Sequence, residues 1–323
     1  MQKNIFIPEI EQRLDIFLSS ELNQTRSQIA QLIAQSCVVI DGKVATKAGV
    51  KLKPNQSVVV DFPQPKQSTP ESIDFDVEII YEDDDLLVIN KPSSLTVHPA
   101  PSVKEPTLVD WLRHKNISLS TISGEERHGI VHRLDRGTSG AMVVAKNNKS
   151  HELLSKQLQD KTMGRYYLAV ATPPLKDSVM IVERPIGRSS HNRLKMAIVE
   201  QGKSAKSAFL SLTHSNDEKL NLIACKLFSG RTHQIRVHLE SMSRHIIGDH
   251  LYGTAPKEYK MERILLHSYY LYFIHPSTNK KLYFKAELDD EMEQFLNNNF
   301  SQKGWHEKID PVFIERSFST EPI

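Results

Sequence analysis

The stretch His132-Arg133-Leu134-Asp135-Arg136-Gly137-Thr138-Ser139-Gly140 decides how the rest of this 323-residue chain is read. It lies between the apolar pair Ile130-Val131 and the apolar run Ala141-Met142-Val143-Val144, so its polar residues belong to a loop joining strand-like segments. An acid set between two arginines, with small turn-forming residues after it, is a carboxylate presented on that loop and kept ionised by neighbouring cations. Composition alone favours a plainer alternative, a solvated surface ion pair.

Outward from this loop, strand-like segments (LLVIN, YYLAVA, LNLIACKL, LYFIHP, KLYFKAEL) mix with helices such as the one carrying Leu153, Leu154 and Leu158. They do so without a regular βαβ rhythm, which predicts an α+β fold with a mixed, mainly antiparallel central sheet over residues 74–298. Residues 63–73 hold three prolines and little to bury, and read as an extended linker. Ahead of it, residues 1–62 form a small module. Ile10, Leu14, Phe17 and Leu18 are spaced for one helix, and Thr25 with Gln28 marks the start of a second with a stripe of Ile29, Leu32 and Ile33. Asp41-Gly42 favours a two-residue hairpin turn, and a strand closes the module near Phe62. Residues 299–323 mix aromatic and charged side chains without a clear period.

Composition excludes several classes. No apolar run approaches the ~20 residues of a membrane span, and the first residues lack the core of a signal peptide, so a cytoplasmic protein is expected. The two cysteines, Cys37 and Cys225, sit in apolar surroundings and read as buried free thiols. His233 and His238 are five apart and match no zinc motif, and no glycine-rich nucleotide cradle occurs, so neither a metal nor a nucleotide cofactor is expected. Net charge is only +2, so a polyanion would have to be held by local patches. One is Lys43, Lys47, Lys51 and Lys53. The other comprises Arg184, Arg188, Arg193, Lys195, Lys203 and Lys206.

The nine-residue loop resembles the HRLDxxTSG signature of the RluA-type pseudouridine synthases, a highly specific motif. The resemblance extends to Lys91-Pro92 and His98-Pro99 upstream. Downstream it takes in Arg165 and Tyr167 in GRYYLAV, Met196 in RLKMAIVEQGKSAKSAF, and the blocks FSGRTHQIRVHL and HIIGDHLYG. The N-terminal module is similar to the α-L RNA-binding domain. Three residues depart from the pattern: Ser94 and Ser36 stand where glycine is usual, and Ser229 where threonine is.

This resemblance implies a cofactor-free isomerase that converts uridines of structured RNA to pseudouridine. Large-subunit 23S rRNA is the expected substrate, as in the RluD-like branch, and tRNA is the runner-up. A monomer with no membrane partner is expected. A ribosome-assembly factor with incidental catalysis is the rival of a different class. Asp135 takes the role of essential carboxylate, either nucleophile or base. Arg231 is expected to pair with it, and Tyr167 to lie against the uracil. Arg133 is the candidate to prop the stack left by an extruded nucleotide, and His132, Arg136, Arg165, Arg193 and Lys195 join the four N-terminal lysines as candidate RNA contacts.

Overall fold

A computed structural model of the chain describes residues 3–22, 26–61, 73–99, 103–121, 127–253, 257–259 and 261–319. The chain forms two compact units, residues 1–71 and 72–323. Thr25 of the expected helix cap and nearly all of the proline-rich stretch 63–73 lie outside the described residues.

The first unit comprises β1 (Lys3–Phe6), β2 (Gln12–Arg13), α1 (Leu14–Glu21), α2 (Arg26–Ala34), β3 (Val38–Ile40), β4 (Lys43–Val44), β5 (Lys51–Leu52) and β6 (Val58–Asp61). Leu14, Leu18, Ile29, Val38, Val58 and Val60 form its core. Asp41 and Gly42 both adopt positive φ, 45° and 80°, and close the β3–β4 hairpin. The first helix begins later than its apolar spacing suggests. Ile10 is 65% exposed, because residues 12 and 13 are drawn into a ladder with β5 and Leu14 N donates to Val50 O at 2.8 Å. Asp15 then anchors the helix start between Arg13 at 2.9 Å and Arg26 at 2.7 Å.

The second unit runs β7 (Glu78–Glu82), β8 (Leu86–Lys91), α3 (Leu108–His114), β9 (Ser139–Ala145), α4 (Asn148–Gln159) and β10 (Gly164–Thr172). There follow β11 (Val179–Glu183), β12 (Ile186–Arg188), β13 (Met196–Ile198), β14 (Lys206–His214), β15 (Asn221–Leu227), α5 (Gln234–Glu240) and β16 (His245–Ile246). It ends with β17 (Leu266–Ile274), β18 (Lys281–Lys285), α6 (Asp290–Asn299), α7 (Gln302–Lys308) and α8 (Pro311–Ser319). The main sheet has the order β11-β14-β15-β10-β17-β9-β8-β7, with β16 on β10 and β18 on β17. Among the described residues its pairings are antiparallel except β17 with β9. The sheet is therefore mixed and mainly antiparallel, and with its helices makes an α+β fold.

All nine residues of the central β10 are buried, and their alternation divides the interior in two. Tyr167, Ala169 and Ala171 share a core with Trp111 of α3 and Ile235 and Leu239 of α5. Tyr166, Leu168 and Val170 face the C-terminal helices. Residues 299–319, for which the sequence shows no period, are built into this second core. Trp305, Ile314 and Phe318 are buried, and the Phe318 ring lies 5.7 Å from that of Tyr166. Burial of each such side chain contributes about 1.5–3 kcal/mol. Cys37 and Cys225 are buried free thiols.

The Asp135 loop is fixed at its end by the parallel junction of β9 with β17. Gly140, at φ +110°, faces Ser268 of β17, and a Cβ there would lie 2.2 Å from the Ser268 carbonyl oxygen. Only glycine fits. Gly140→Ala is expected to cost at least about 1–3 kcal/mol, the strain of such a backbone alone, and to lower the melting temperature measurably. A melting curve like the parent's would show that β9 and β17 do not approach so closely.

Candidate active site

A cleft of about 630 Å³ in the second unit opens on the loop that carries Asp135. Its walls include Arg133, Arg165, Tyr167, Arg231, His233 and Arg236. The volume lies within the range of small-molecule sites, and the lining is strongly cationic.

Asp135 is one-fifth exposed, and its Oδ2 lies 3.4 Å from a terminal nitrogen of Arg236. Arg236 is held from behind. Its Nε and second terminal nitrogen donate to the two carboxylate oxygens of Asp249, each at 2.8 Å, and Asp249 is almost wholly buried. Asp249 also accepts from the amides of Leu251 and Tyr252. The Tyr252 ring covers the guanidinium, with its centroid 4.8 Å away. One planar cation thus bonds an interior acid bidentately and offers its remaining edge to Asp135. The contacts to Asp249 raise the guanidinium above its ordinary range against the opposing effect of burial. His233, at φ 56°, turns its Nε2 to 3.9 Å from the same Asp135 oxygen. Left-handed backbone at a residue other than glycine costs energy and is commonly found where a side chain must be aimed.

The expected pairing of Arg231 with Asp135 is corrected by this geometry. Arg231 Nε donates to the Ser204 carbonyl oxygen at 3.0 Å, the residue is exposed, and among the described residues it makes no ion pair. It still lines the cleft. Neither flanking arginine makes an ion pair with Asp135 among the described residues, although the Asp135 charge acts on Arg133. Arg133 Nη1 meets His98 Nε2 at 3.1 Å, and Arg136 Nε donates to the Ser94 carbonyl oxygen at 3.0 Å. Both fasten the loop to the segment after β8. Lys91 does the same from below, fully buried, with Nζ donating to the carbonyl oxygens of Pro92, Leu95 and Arg136. Burial pushes Lys91 down to about 7, opposed by Asp135. Three carbonyl acceptors match the three protons of its charged form.

Tyr167 lines the cleft with its ring buried. Burial raises the phenol, with Arg165 and Ser268 opposing, so the side chain is a neutral hydroxyl. Arg165, on the same face of β10, is 6% exposed, its Nε has no hydrogen-bond partner, and among the described residues no carboxylate neutralises it. Gly230 leaves room for it, since a Cβ there would lie 2.8 Å from Nη1. His132 is half-buried, accepts from the Val143 amide at 3.1 Å, and is pushed down to about 3 by burial. It is a neutral support for the loop. Arg193 is exposed, whereas Lys195 faces Glu240 at 3.5 Å and the Tyr252 ring at 5.2 Å. In the first unit Lys43, Lys47, Lys51 and Lys53 are all exposed, with Lys51 3.6 Å from Glu11. Ser94 and Ser36 adopt positive φ of 70° and 60°, so both turns keep the conformation that glycine favours. The Ser229 hydroxyl donates to Gln234 and accepts from the Lys206 amide.

Arg236, Asp249 and Tyr252 were not singled out in the sequence, although all three lie in the blocks FSGRTHQIRVHL and HIIGDHLYG. The available signal was a charged residue beside apolar neighbours, Arg236 between Ile235 and Val237 and Asp249 after Ile246-Ile247-Gly248, where burial without a partner is costly. A cationic cleft that brings Asp135, Arg236 and a buried tyrosine together suits a polyanionic ligand. Comparison with known proteins gives the chain a family. The model for RNA pseudouridylate synthase matches residues 85–241, and that for the S4 domain matches residues 12–58. An uncharacterized RNA pseudouridine synthase of Helicobacter pylori is 45% identical over 98% of this chain and 99% of its own. The ribosomal large subunit pseudouridine synthase D of Zymomonas mobilis is 37% identical over 87% and 92%. The solved structure of human RNA pseudouridylate synthase domain containing 1 shares the fold, with TM-score 0.53 and 23% identity, covering 70% of this chain and 96% of that one. The chain belongs to the RNA pseudouridine synthase family and carries an N-terminal S4 domain.

The clamp separates two variants. Asp249→Ala is expected to cost about 3–5 kcal/mol, because it strands a guanidinium built to be paired, and to slow single-turnover isomerisation. Arg231→Ala, which removes an exposed side chain, is expected to leave the melting temperature nearly unchanged. Equal thermal losses in the two proteins would deny Asp249 its special place.

Proposed function

We propose that this enzyme isomerises selected uridines of large-subunit ribosomal RNA, with Asp135 as the essential carboxylate. The observation that carries the reading is the approach of Arg236 to Asp135 in a cleft shared with Tyr167 and Arg165. The name of the Zymomonas mobilis relative supports the choice of RNA.

The reaction breaks the uridine N1–C1′ bond, turns the base over and joins C5 to C1′. A proton leaves C5 and one is taken up at N1, so nothing is oxidised or reduced. Asp135 must be anionic to attack C1′ or to remove a ribose proton, and Arg236 places a cation 3.4 Å from its carboxylate. A stacked uridine is out of reach, so the nucleotide is extruded at a cost of a few kcal/mol. Arg133, exposed at the rim, serves to fill the vacated stack. Arg165, a buried cation with no counter-ion among the described residues, suits a phosphate of the extruded nucleotide. Tyr167 supports the uracil face and offers a hydroxyl near C5. Arg231, exposed at the cleft wall and not paired with Asp135, serves instead as an RNA contact.

Asp135→Asn is the primary test. It should abolish turnover while RNA affinity stays near the parent's, because the amide keeps the shape and loses the anionic oxygen. Turnover within about tenfold of the parent would exceed what loss of an acid–base group alone permits and would remove Asp135 from the role. Carbodiimide mapping of total RNA from cells with and without the protein then tests the target: lost sites in large-subunit rRNA are expected, and losses confined to tRNA would contradict it. Tyr167→Phe should bind RNA normally and slow single turnover by about 10²-fold, the usual lower contribution of a proton-transfer group.

The exposed lysines of the S4 domain are read as phosphate contacts. Each true contact should add roughly 0.7–0.9 to the slope of log affinity against log salt, so changing Lys43, Lys47, Lys51 and Lys53 to alanine should flatten that slope about equally for all RNAs. Identical slopes would make these lysines a solvated face.

A further inference from the structure

Tyr252 stands where three parts of the second unit meet. Its ring lies over the Arg236 guanidinium, 4.8 Å from centroid to Cζ. Its hydroxyl is 2.8 Å from His233 Nδ1, and it accepts from the Met196 amide at 2.7 Å, with the Met196 carbonyl oxygen at 3.3 Å. Met196 opens β13, which pairs with β12 across a basic hairpin whose connecting residues include Arg193 and Lys195. Lys195 leans over the same ring at 5.2 Å. Both groups that approach Asp135, Arg236 and His233, therefore rest on one side chain, which is itself only 3% exposed.

A phenol has one proton to give. The Met196 amide is a donor, so the hydroxyl accepts there and its own proton goes to His233 Nδ1 at 2.8 Å in preference to the Met196 carbonyl oxygen at 3.3 Å. A histidine that accepts at Nδ1 carries its proton at Nε2, the atom facing Asp135 Oδ2 at 3.9 Å. We propose that Tyr252 is a positioning residue for the isomerisation: its hydroxyl fixes His233 as the neutral tautomer with Nε2–H toward Asp135, its ring steadies Arg236, and its bond to Met196 ties both to the basic hairpin. The strained backbone of His233 fits this role, since the left-handed turn is what carries the ring between Tyr252 and Asp135. The neutral form aims an N–H at the carboxylate, 3.9 Å away, without a second cation that would weaken it as a nucleophile or base. Charged or titratable groups around His233 are Asp135, Arg236, Asp249, Arg133 and Tyr252; burial lowers the imidazole, Asp135 and Asp249 raise it, and Arg236 and Arg133 lower it.

The test is Tyr252→Phe, which keeps the ring over Arg236 and removes only the hydroxyl. RNA affinity should stay within about twofold, while the single-turnover rate at saturating RNA falls at least about tenfold, a small share of what a misplaced acid–base group costs. The acid limb of the rate profile should also move to higher pH. The sign follows from the lost hydrogen bond: it stabilised neutral His233, so without it the imidazolium forms at higher pH and pairs with Asp135. In a His233→Gly background, where glycine takes φ 56° without strain, Tyr252→Phe should leave the profile unchanged and lower the rate less than it does in the parent, since only the bond to Met196 is then lost. A parental rate and profile in Tyr252→Phe would overturn the proposal, as would independent, multiplying losses in the double variant. Should Tyr252→Phe fold poorly, the rate profile of His233→Gly decides: an acid limb unchanged from the parent's counts against the proposal. The inference rests on Asp135 as the essential carboxylate. Failure of that reading would show separately, as turnover by Asp135→Asn.

Discussion

The arrangement of the catalytic unit turns on one guanidinium that must serve two carboxylates. Arg236 is committed bidentately to buried Asp249 and extends its remaining edge to Asp135, 101 residues away in the chain. Asp249 is nearly inaccessible and would be costly without its cation, and the cation, once so held, has a fixed direction. The charge opposite Asp135 is thus set by the interior, before any RNA arrives. Such preorganisation is what an electrostatic site needs, because no rearrangement is then charged to the chemical step.

The sheet makes this possible by bringing remote segments to one face. Alternation along β10 puts Arg165 and Tyr167 on the side of the cleft, and Tyr166 on the side covered by α6, α7 and α8. The parallel contact of β9 with β17 stops the Asp135 loop at Gly140, and Lys91, Arg133 and Arg136 tie the loop to the turn after β8. The arginines next to Asp135 in sequence make hydrogen bonds that shape its loop, and the ion pair to its carboxylate comes from Arg236 of α5.

Much of this was legible in the sequence, for physical reasons that differ by residue. The Asp135 loop could be read because apolar runs bracket it, and the Asp41-Gly42 hairpin because few other pairs accept two positive φ angles. Tyr167 could be placed through a specific motif. The partner of Asp135 could not be. Arg231 and Arg236 stand in one short block, and which of them turns inward depends on where helix α5 begins, a matter of one strained residue at 233. The start of α1 is hidden for a similar reason: apolar spacing continues through Ile10, while the backbone at residues 12 and 13 is claimed by a strand from later in the chain. In the last helix the buried Ile314 and Phe318 stand four apart, but the exposed Val312 and Phe313 beside them blur that stripe.

The central claim is that Asp135 answers to Arg236 and not to Arg231. A pair of double-mutant cycles in thermal or denaturant stability measures it most directly, one joining Asp135→Asn with Arg236→Gln and the other joining Asp135→Asn with Arg231→Gln. The account predicts a coupling above about 0.5 kcal/mol in the first cycle and additivity within about 0.3–0.5 kcal/mol in the second. Additivity in the first together with coupling in the second would contradict it.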